Sequence, residues 1–193
     1  MKTVIIKYNA GNIQSVAFAL ERLGIKPVIT DDPEIIAKAD KVIFPGVGQA
    51  STTMNYLRQT KLNELIPALT QPFLGICLGM QLMCSFSTEG NTPCLGIFNE
   101  KVEKFPPLNK VPHVGWNSIS NLKSPLFKSL PKNSYVYFVH SYFVNQSSYS
   151  IAECNYIKPF SAALQKDNFF ATQFHPERSG KTGEIILKNF IAL

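Results

Sequence analysis

The chain reads as an α/β protein with a mostly parallel central sheet flanked by helices and an additional antiparallel section. Three observations predict this. Short β-rich runs alternate with stretches of helical apolar spacing through residues 1–86, the pattern of strand–helix–strand units. Within that part, Phe73-Leu74-Gly75-Ile76 is a continuous apolar run, as a strand buried on both faces requires. From about residue 95 the texture changes to short strands separated by turn residues, which favours antiparallel pairing. A length of 193 residues fits one domain of roughly 100–200 residues, so residues 1–193 are expected to form a single unit.

Residues 3–8 give the first strand, followed by a turn at Asn9-Ala10-Gly11-Asn12. Ile13, Val16, Ala17, Leu20 and Leu23 then recur at helical spacing, and Gly24 stops that helix. Residues 26–30 read as a second strand. Asp31-Asp32-Pro33 looks like a cap with proline at the first helical position, opening a helix over 34–39. Residues 41–44 form the third strand, 52–69 a helical region, 73–76 the buried strand and 81–86 a helical stretch. Short strands follow at 102–105, 114–119, 135–139, 151–156, 161–165 and 169–174. A last helix over 182–192 turns Ile185, Ile186 and Phe190 toward the core. There is no internal repeat, low-complexity tract or long linker.

A composition of 45% hydrophobic and 17% charged residues excludes global disorder. The most apolar stretch, 73–86, is broken by Gln81 and is shorter than the ~18–20 residues of a spanning helix. The N-terminal apolar run is also too short for a secretory h-region of roughly 7–15 residues. No membrane association and a cytoplasmic location are therefore expected. The net charge of +6 is uneven: eight basic residues stand against seven acidic ones in 1–96, and eleven against six in 97–193. Those lysines are scattered, with no dense basic run interleaved by aromatics, so no nucleic-acid partner is expected. An acidic protein partner or an anionic metabolite accounts for the excess equally well. Cys77, Cys84, Cys94 and Cys154 contain no C-x-x-C pair and lie near no H-x-x-x-H, so neither a metal nor a cofactor is expected.

Gly75-Ile76-Cys77-Leu78-Gly79 is the strongest local signal. A nucleophile on a sharp strand-to-helix turn is pushed out of the sheet, and glycines flank it because side chains there would clash. The helix N-terminus that follows favours negative charge and supplies backbone N–H groups for an oxyanion. A lone cysteine is usually core packing; the two glycines and the strand-to-helix setting make Cys77 the nucleophile instead. Cys84, Cys94 and Cys154 have no such setting.

A thiol nucleophile needs a base. Of His113, His140 and His175, only His175 has a nearby carboxylate, in Phe174-His175-Pro176-Glu177, so Glu177 can fix its tautomer and stabilise its charged form. His113 and His140 read as interface or hydrogen-bonded core residues. Pro45-Gly46-Val47-Gly48 follows the third strand at its C-terminal end, the edge where parallel sheets bind ligands. It is no dinucleotide fingerprint, because Ser51 stands where the third glycine belongs; Gly180-Lys181-Thr182 likewise fails as a P-loop, whose first glycine would fall at His175.

These segments, with Pro72-Phe73-Leu74 before the elbow and Met80-Gln81-Leu82 after it, resemble the class I (triad-type) glutamine amidotransferases along the whole chain. Within that family, Tyr8-Asn9-Ala10-Gly11-Asn12, Pro112 to Asn117, Tyr137 to Tyr142 and His175 to Gly180 are similar to the glutaminase subunits of imidazole glycerol phosphate synthases. Met80 separates it from anthranilate- and aminodeoxychorismate-type subunits, which usually carry histidine there. Arg178 replaces the more common lysine, keeping the charge but changing the geometry of any ion pair.

The resemblance implies a flavodoxin-like fold and hydrolysis of L-glutamine to glutamate and ammonia. The ammonia would pass to a separate cyclase subunit with a (β/α)8 barrel fold, in a heterodimer that makes a precursor of histidine. Such a barrel alone takes about 250 residues, which supports a separate chain. It implies Cys77, His175 and Glu177 as the triad, and Gly46, Val47 and the Leu78 N–H as the oxyanion hole, with the Gly46-Val47 peptide flipping. Gly48, Gln81, Ser141 and Tyr142 would hold the glutamine; Asn12, Trp116, Tyr137 and Arg178 would face the partner. The rival readings are a glutaminase subunit for aminodeoxychorismate or pyridoxal phosphate synthesis, against which the 112–117 and 137–142 segments argue, and a non-catalytic scaffold, against which the complete triad argues.

Overall fold

The β-branched runs become the parallel strands of the computed structural model, which describes residues 1–8 and 12–193; the turn expected at Asn9-Ala10-Gly11 lies outside the described residues. In chain order come β1 (Thr3–Ile6), α1 (Ile13–Arg22), β2 (Val28–Thr30), α2 (Pro33–Ala37), β3 (Lys41–Phe44), α3 (Ala50–Gln59), α4 (Leu62–Leu65), β4 (Phe73–Ile76) and α5 (Leu78–Met83). The second half adds β5 (Phe86–Ser87), β6 (Thr92–Pro93), β7 (Lys101–Lys104), β8 (His113–Ser118), β9 (Tyr135–His140) and β10 (Tyr142–Val144). It closes with β11 (Ser150–Tyr156), β12 (Lys158–Lys166), β13 (Phe169–Thr172) and α6 (Gly180–Ile191).

Seven strands form the central sheet in the order β11-β12-β13-β4-β3-β1-β2. The expected parallel arrangement holds from β2 to β4. Alternation along each strand feeds two cores, since successive side chains point to opposite faces. Ile5, Ile43, Leu74 and Ile76 pack under α1 and α6, while Val4, Ile6, Val42, Phe44 and Phe73 pack under α2 to α4. Both faces are covered, which is why these strands are apolar throughout. Smaller sheets are β10-β7-β5-β6 and the β8-β9 hairpin.

Four local expectations need correction. The strand at the end of the chain is not confined to antiparallel pairing: β13 runs antiparallel to β12 but parallel to β4, with Thr172 opposite Ile76. All four of its residues are buried, so it belongs in the sheet interior, and its exit lies beside that of β4. The helical region over 52–69 is broken at Lys61, whose φ of 60° is left-handed, and it finishes in a 3₁₀ turn containing Pro67. The stretch expected over 81–86 starts earlier, at Leu78, and ends at Met83 because Cys84 turns extended. In α6 the buried residues are Gly183, Ile186, Leu187 and Phe190, and Ile185 is only half-buried. The Asp32 cap is formed as expected, its carboxylate accepting from Glu34 N and Ile35 N. Among the described residues no helix is long and apolar enough to cross a membrane.

Candidate active site

Cys77 stands between β4 and α5 with φ 53° and ψ −104°, a backbone conformation that costs a residue with a β-carbon free energy. Neighbouring backbone holds it there. Its N–H donates to Thr172 O at 2.7 Å, tying the elbow to β13. A β-carbon at position 79 would lie 2.2 Å from the Phe44 carbonyl oxygen, and one at position 46 would lie 2.4 Å from Gly79 N. The elbow and the 45–48 loop thus touch backbone to backbone, and only glycine permits that approach.

The chain leaves β13 and reaches His175 three residues later, level with Cys77. His175 Nδ1 lies 2.8 Å from Glu177 Oε1, and both side chains are fully buried. A carboxylate can only accept, so Nδ1 carries the proton and Nε2 is left for chemistry. Nε2 has no hydrogen-bond partner among the described residues. Burial alone would push the imidazolium's pKa down; the Cys77 sulfur and the Glu177 carboxylate outweigh it and raise the pKa to about 10. A charged imidazolium beside the sulfur is the ground state this arrangement favours. Asn12 Nδ2 also donates to Glu177 Oε1 at 2.5 Å, so a residue expected on a partner face reaches the triad carboxylate.

Gly46, Val47, Gly48, Leu78, Gln81, Ser141 and Tyr142 all line one cleft of about 330 Å³ with Cys77. Sequence reasoning did not single out Glu89, which lines it too and is its one carboxylate among the described residues. Its Oε2 accepts from Ala50 N at the start of α3. Thr88-Glu89-Gly90-Asn91 carries no motif, so only the fold places that charge. Gln173 was missed as well, although a fully buried amide in the apolar 169–174 run was a readable signal.

His113 and His140 prove to be hydrogen-bonded core histidines. Nδ1 of His113 lies 3.1 Å from Nε2 of His140, and burial pushes their pKa values down to about 4 and 3 respectively. Trp116 is 55% exposed, so it is not a core residue. It pairs across the hairpin with Tyr137, and the Arg178 guanidinium lies 4.8 Å above the Tyr137 ring. This face connects to the triad through main chain. His175 N donates to Tyr137 O at 2.9 Å, while Ser179 Oγ accepts from Tyr137 N and donates to His175 O.

The other thiols are held neutral. Burial raises Cys94 to about 11, Cys154 to about 12 and Cys84 well above the usual thiol range. Iodoacetamide at pH 7 is therefore expected to alkylate Cys77 at least about tenfold faster than the other three, because the thiolate is the nucleophile. Peptide mass spectrometry reads this directly, and equal labelling of Cys94 would refute it. Among the described residues no group of three or more His, Cys, Asp or Glu is placed to hold a metal ion.

Residues 4–193 match the family model for class-I glutamine amidotransferases. The imidazole glycerol phosphate synthase subunit HisH of Bacteroides fragilis (strain YCH46) is 61% identical over 196 aligned positions, covering 100% of both chains. The subunit of the same name from Pasteurella multocida (strain Pm70) is 49% identical over 189 positions, 97% of this chain and 96% of that one. Among solved structures, a glutamine amidotransferase from Thermotoga maritima aligns over 100% of this chain and 81% of its own, with a TM-score of 0.65. At 17% identity that likeness is one of fold.

Proposed function

The chain belongs to the class I glutamine amidotransferases, and on that premise we propose that it is the glutaminase subunit of an imidazole glycerol phosphate synthase, acting as one domain. It hydrolyses L-glutamine to glutamate and ammonia, and a separate cyclase subunit with a (β/α)8 barrel fold consumes the ammonia in histidine biosynthesis. The observation that carries this is the buried His175–Glu177 pair at 2.8 Å beside a strained Cys77 that lines the cleft.

In the first half-reaction the Cys77 sulfur bonds to the carboxamide carbon, and the carbonyl oxygen becomes an oxyanion held by Leu78 N–H and the Gly46-Val47 peptide. The C–N bond then breaks as His175 Nε2 gives its proton to the leaving nitrogen, releasing ammonia and a thioester. In the second, neutral Nε2 takes a proton from water, the hydroxide adds to the thioester carbon, and the C–S bond breaks to release glutamate and restore the Cys77 thiolate beside a protonated His175. Glu177 holds Nδ1–H throughout. Glu89 is the counter-ion for the substrate's ammonium group, with Gly48, Ser141 and Tyr142 beside it. Gln81 spends its N–H donors on Tyr142 O and Gln173 Oε1, which leaves its oxygen for substrate. A glutamine analogue with an electrophilic carbon should label Cys77 covalently; labelling that is absent, or elsewhere, would overturn the reading.

The exposed Trp116, Tyr137 and Arg178 face, with Asn12 at its triad end, meets the cyclase. Aromatic and arginine residues are favoured interface anchors. Arg178→Ala is expected to weaken assembly or ligand stimulation about tenfold without unfolding the chain, since it removes a charge and the cover over Tyr137. Trp116→Ala is expected to lower the fraction of ammonia that reaches product. Normal affinity, normal stimulation and full coupling in both variants would remove this face from consideration.

A further inference from the structure

The geometry points to Gln173 as the hydrogen-bond donor that stabilises the Cys77 thiolate, with its amide held in the donating orientation by Gln81 and the Tyr142 carbonyl. Gln173 is fully buried, and its position follows from the register: Thr172 pairs with Ile76, so the next residue stands beside Cys77. Its own N–H continues the sheet to Ala162 O at 2.8 Å. That leaves the side chain to reach the elbow, where Nε2 lies 3.6 Å from Cys77 Sγ.

Which end of a buried amide faces a sulfur is a matter of its partners, and here one main-chain carbonyl decides it. Tyr142 O can only accept, so the Gln81 atom 3.0 Å from it is the nitrogen. The same nitrogen lies 3.0 Å from the Gln173 amide, which must therefore present its oxygen there. Gln173 Nε2 is then turned toward Cys77. Gln81 is four residues beyond Cys77, one helical turn away, which puts its side chain on the same side of the elbow. His140 Nδ1 also reaches Tyr142 O, at 2.7 Å, so the carbonyl that fixes the chain is itself held by two donors.

Apart from the His175 ring, the sulfur's other polar neighbour among the described residues is Val139 O at 3.8 Å, which can serve only the protonated thiol. Gln173 gains most when the proton has left, because a hydrogen bond to a charged acceptor is roughly twice as strong as a neutral one. The S–H bond breaks, its proton passes to His175 Nε2, and the electron pair left on sulfur meets the Gln173 N–H. A glutamate at 173 could still accept from Gln81 but would aim an oxygen at the thiolate. A methionine would fill the space with no donor.

Both variants of the full chain test this through the rate of Cys77 alkylation by iodoacetamide against pH. Gln173→Met is expected to move the midpoint up by about one pH unit and to slow labelling at neutral pH about tenfold, with Gln173→Glu moving it further. A purely structural role would lower the melting temperature without moving the midpoint. In the wild-type chain, the Gln173 side-chain amide resonance should titrate with the same midpoint as the alkylation rate and stop doing so in Cys77→Ala. That reading stands even where a variant fails to fold. A folded Gln173→Met with an unmoved midpoint, or an amide resonance that ignores pH, overturns the assignment. The inference rests on Cys77 as the nucleophile. Alkylation needs no turnover, so a wild-type Cys77 no more reactive than Cys94 would bring down that reading, whereas normal reactivity with an unmoved midpoint removes only Gln173.

Discussion

Cys77→Ala is expected to abolish glutamine-dependent synthesis by the assembled complex, by on the order of 10⁴-fold or more, while synthesis from added ammonia continues. The asymmetry follows from the division of labour, since only the source of ammonia is lost. Cys77→Ser should behave alike, because a hydroxyl beside the His175 ring gives up its proton far less readily than a thiol. His175→Ala removes both the acid that releases ammonia and the base that activates water, and should cost about as much. Glu177→Gln should cost less than either. Its side-chain oxygen can still accept from Nδ1, so orientation survives while the charge that stabilises the imidazolium does not. The same geometry predicts a titration. The His175 ring stays protonated up to about pH 10 in the wild-type chain because the Cys77 sulfur and Glu177 raise it against burial. Removing the sulfur in Cys77→Ala takes away the leading attraction, so the ring's nuclear magnetic resonance signal should titrate at lower pH. Retained glutaminase activity in Cys77→Ala, or an unchanged His175 titration there, would defeat the assignment of the pair.

Much of this site is legible in the sequence because its chemistry is tied to local backbone demands. Cys77 is recognisable from Gly75 and Gly79, and the structure gives the reason for the second glycine: the Phe44 carbonyl fills the space a β-carbon would take. His175 and Glu177 are two residues apart, so one short turn brings them together. The parallel half of the sheet is legible for the same kind of reason, since β1, β3 and β4 are buried on both faces and read as apolar runs, while β2 is the exposed edge strand. What is not legible depends on non-local pairing. The parallel seat of β13 against β4 is one case: its residues suit either direction, and only the sheet order puts His175 next to Cys77. Glu89 is another, brought to the cleft by its bond to Ala50 N rather than by any motif. β5, β6 and β10 run for two or three residues, too few to display a period. Asn12 was expected on a partner face from the resemblance alone, and its reach across 165 positions to Glu177 was not legible.

Glutamine hydrolysis by the chain alone is expected to be slow, on the order of 100-fold below the rate with the cyclase and its nucleotide ligand bound. On the proposed mechanism a second N–H joins that of Leu78 at the oxyanion, and the 46–48 segment, which lines the same cleft, is proposed to supply it. That segment begins at Gly46, whose lack of a side chain allows the approach to Gly79, and Gly48 sits at φ +133°, a conformation open to glycine. A peptide with such neighbours can take two orientations without moving a side chain, which makes it a two-state element that a partner can bias. The His175 main chain is tied to Tyr137, on the proposed partner face, both directly and through Ser179. On the proposed assembly, cyclase contact at Trp116, Tyr137 and Arg178 would reach the triad through hydrogen-bonded main chain. Turnover measured with the chain alone, with cyclase, and with cyclase plus ligand decides the matter. Stepwise stimulation fits a biased peptide, and equal rates in all three would refute the gate, because a ligand with no differential effect on the two orientations cannot shift them.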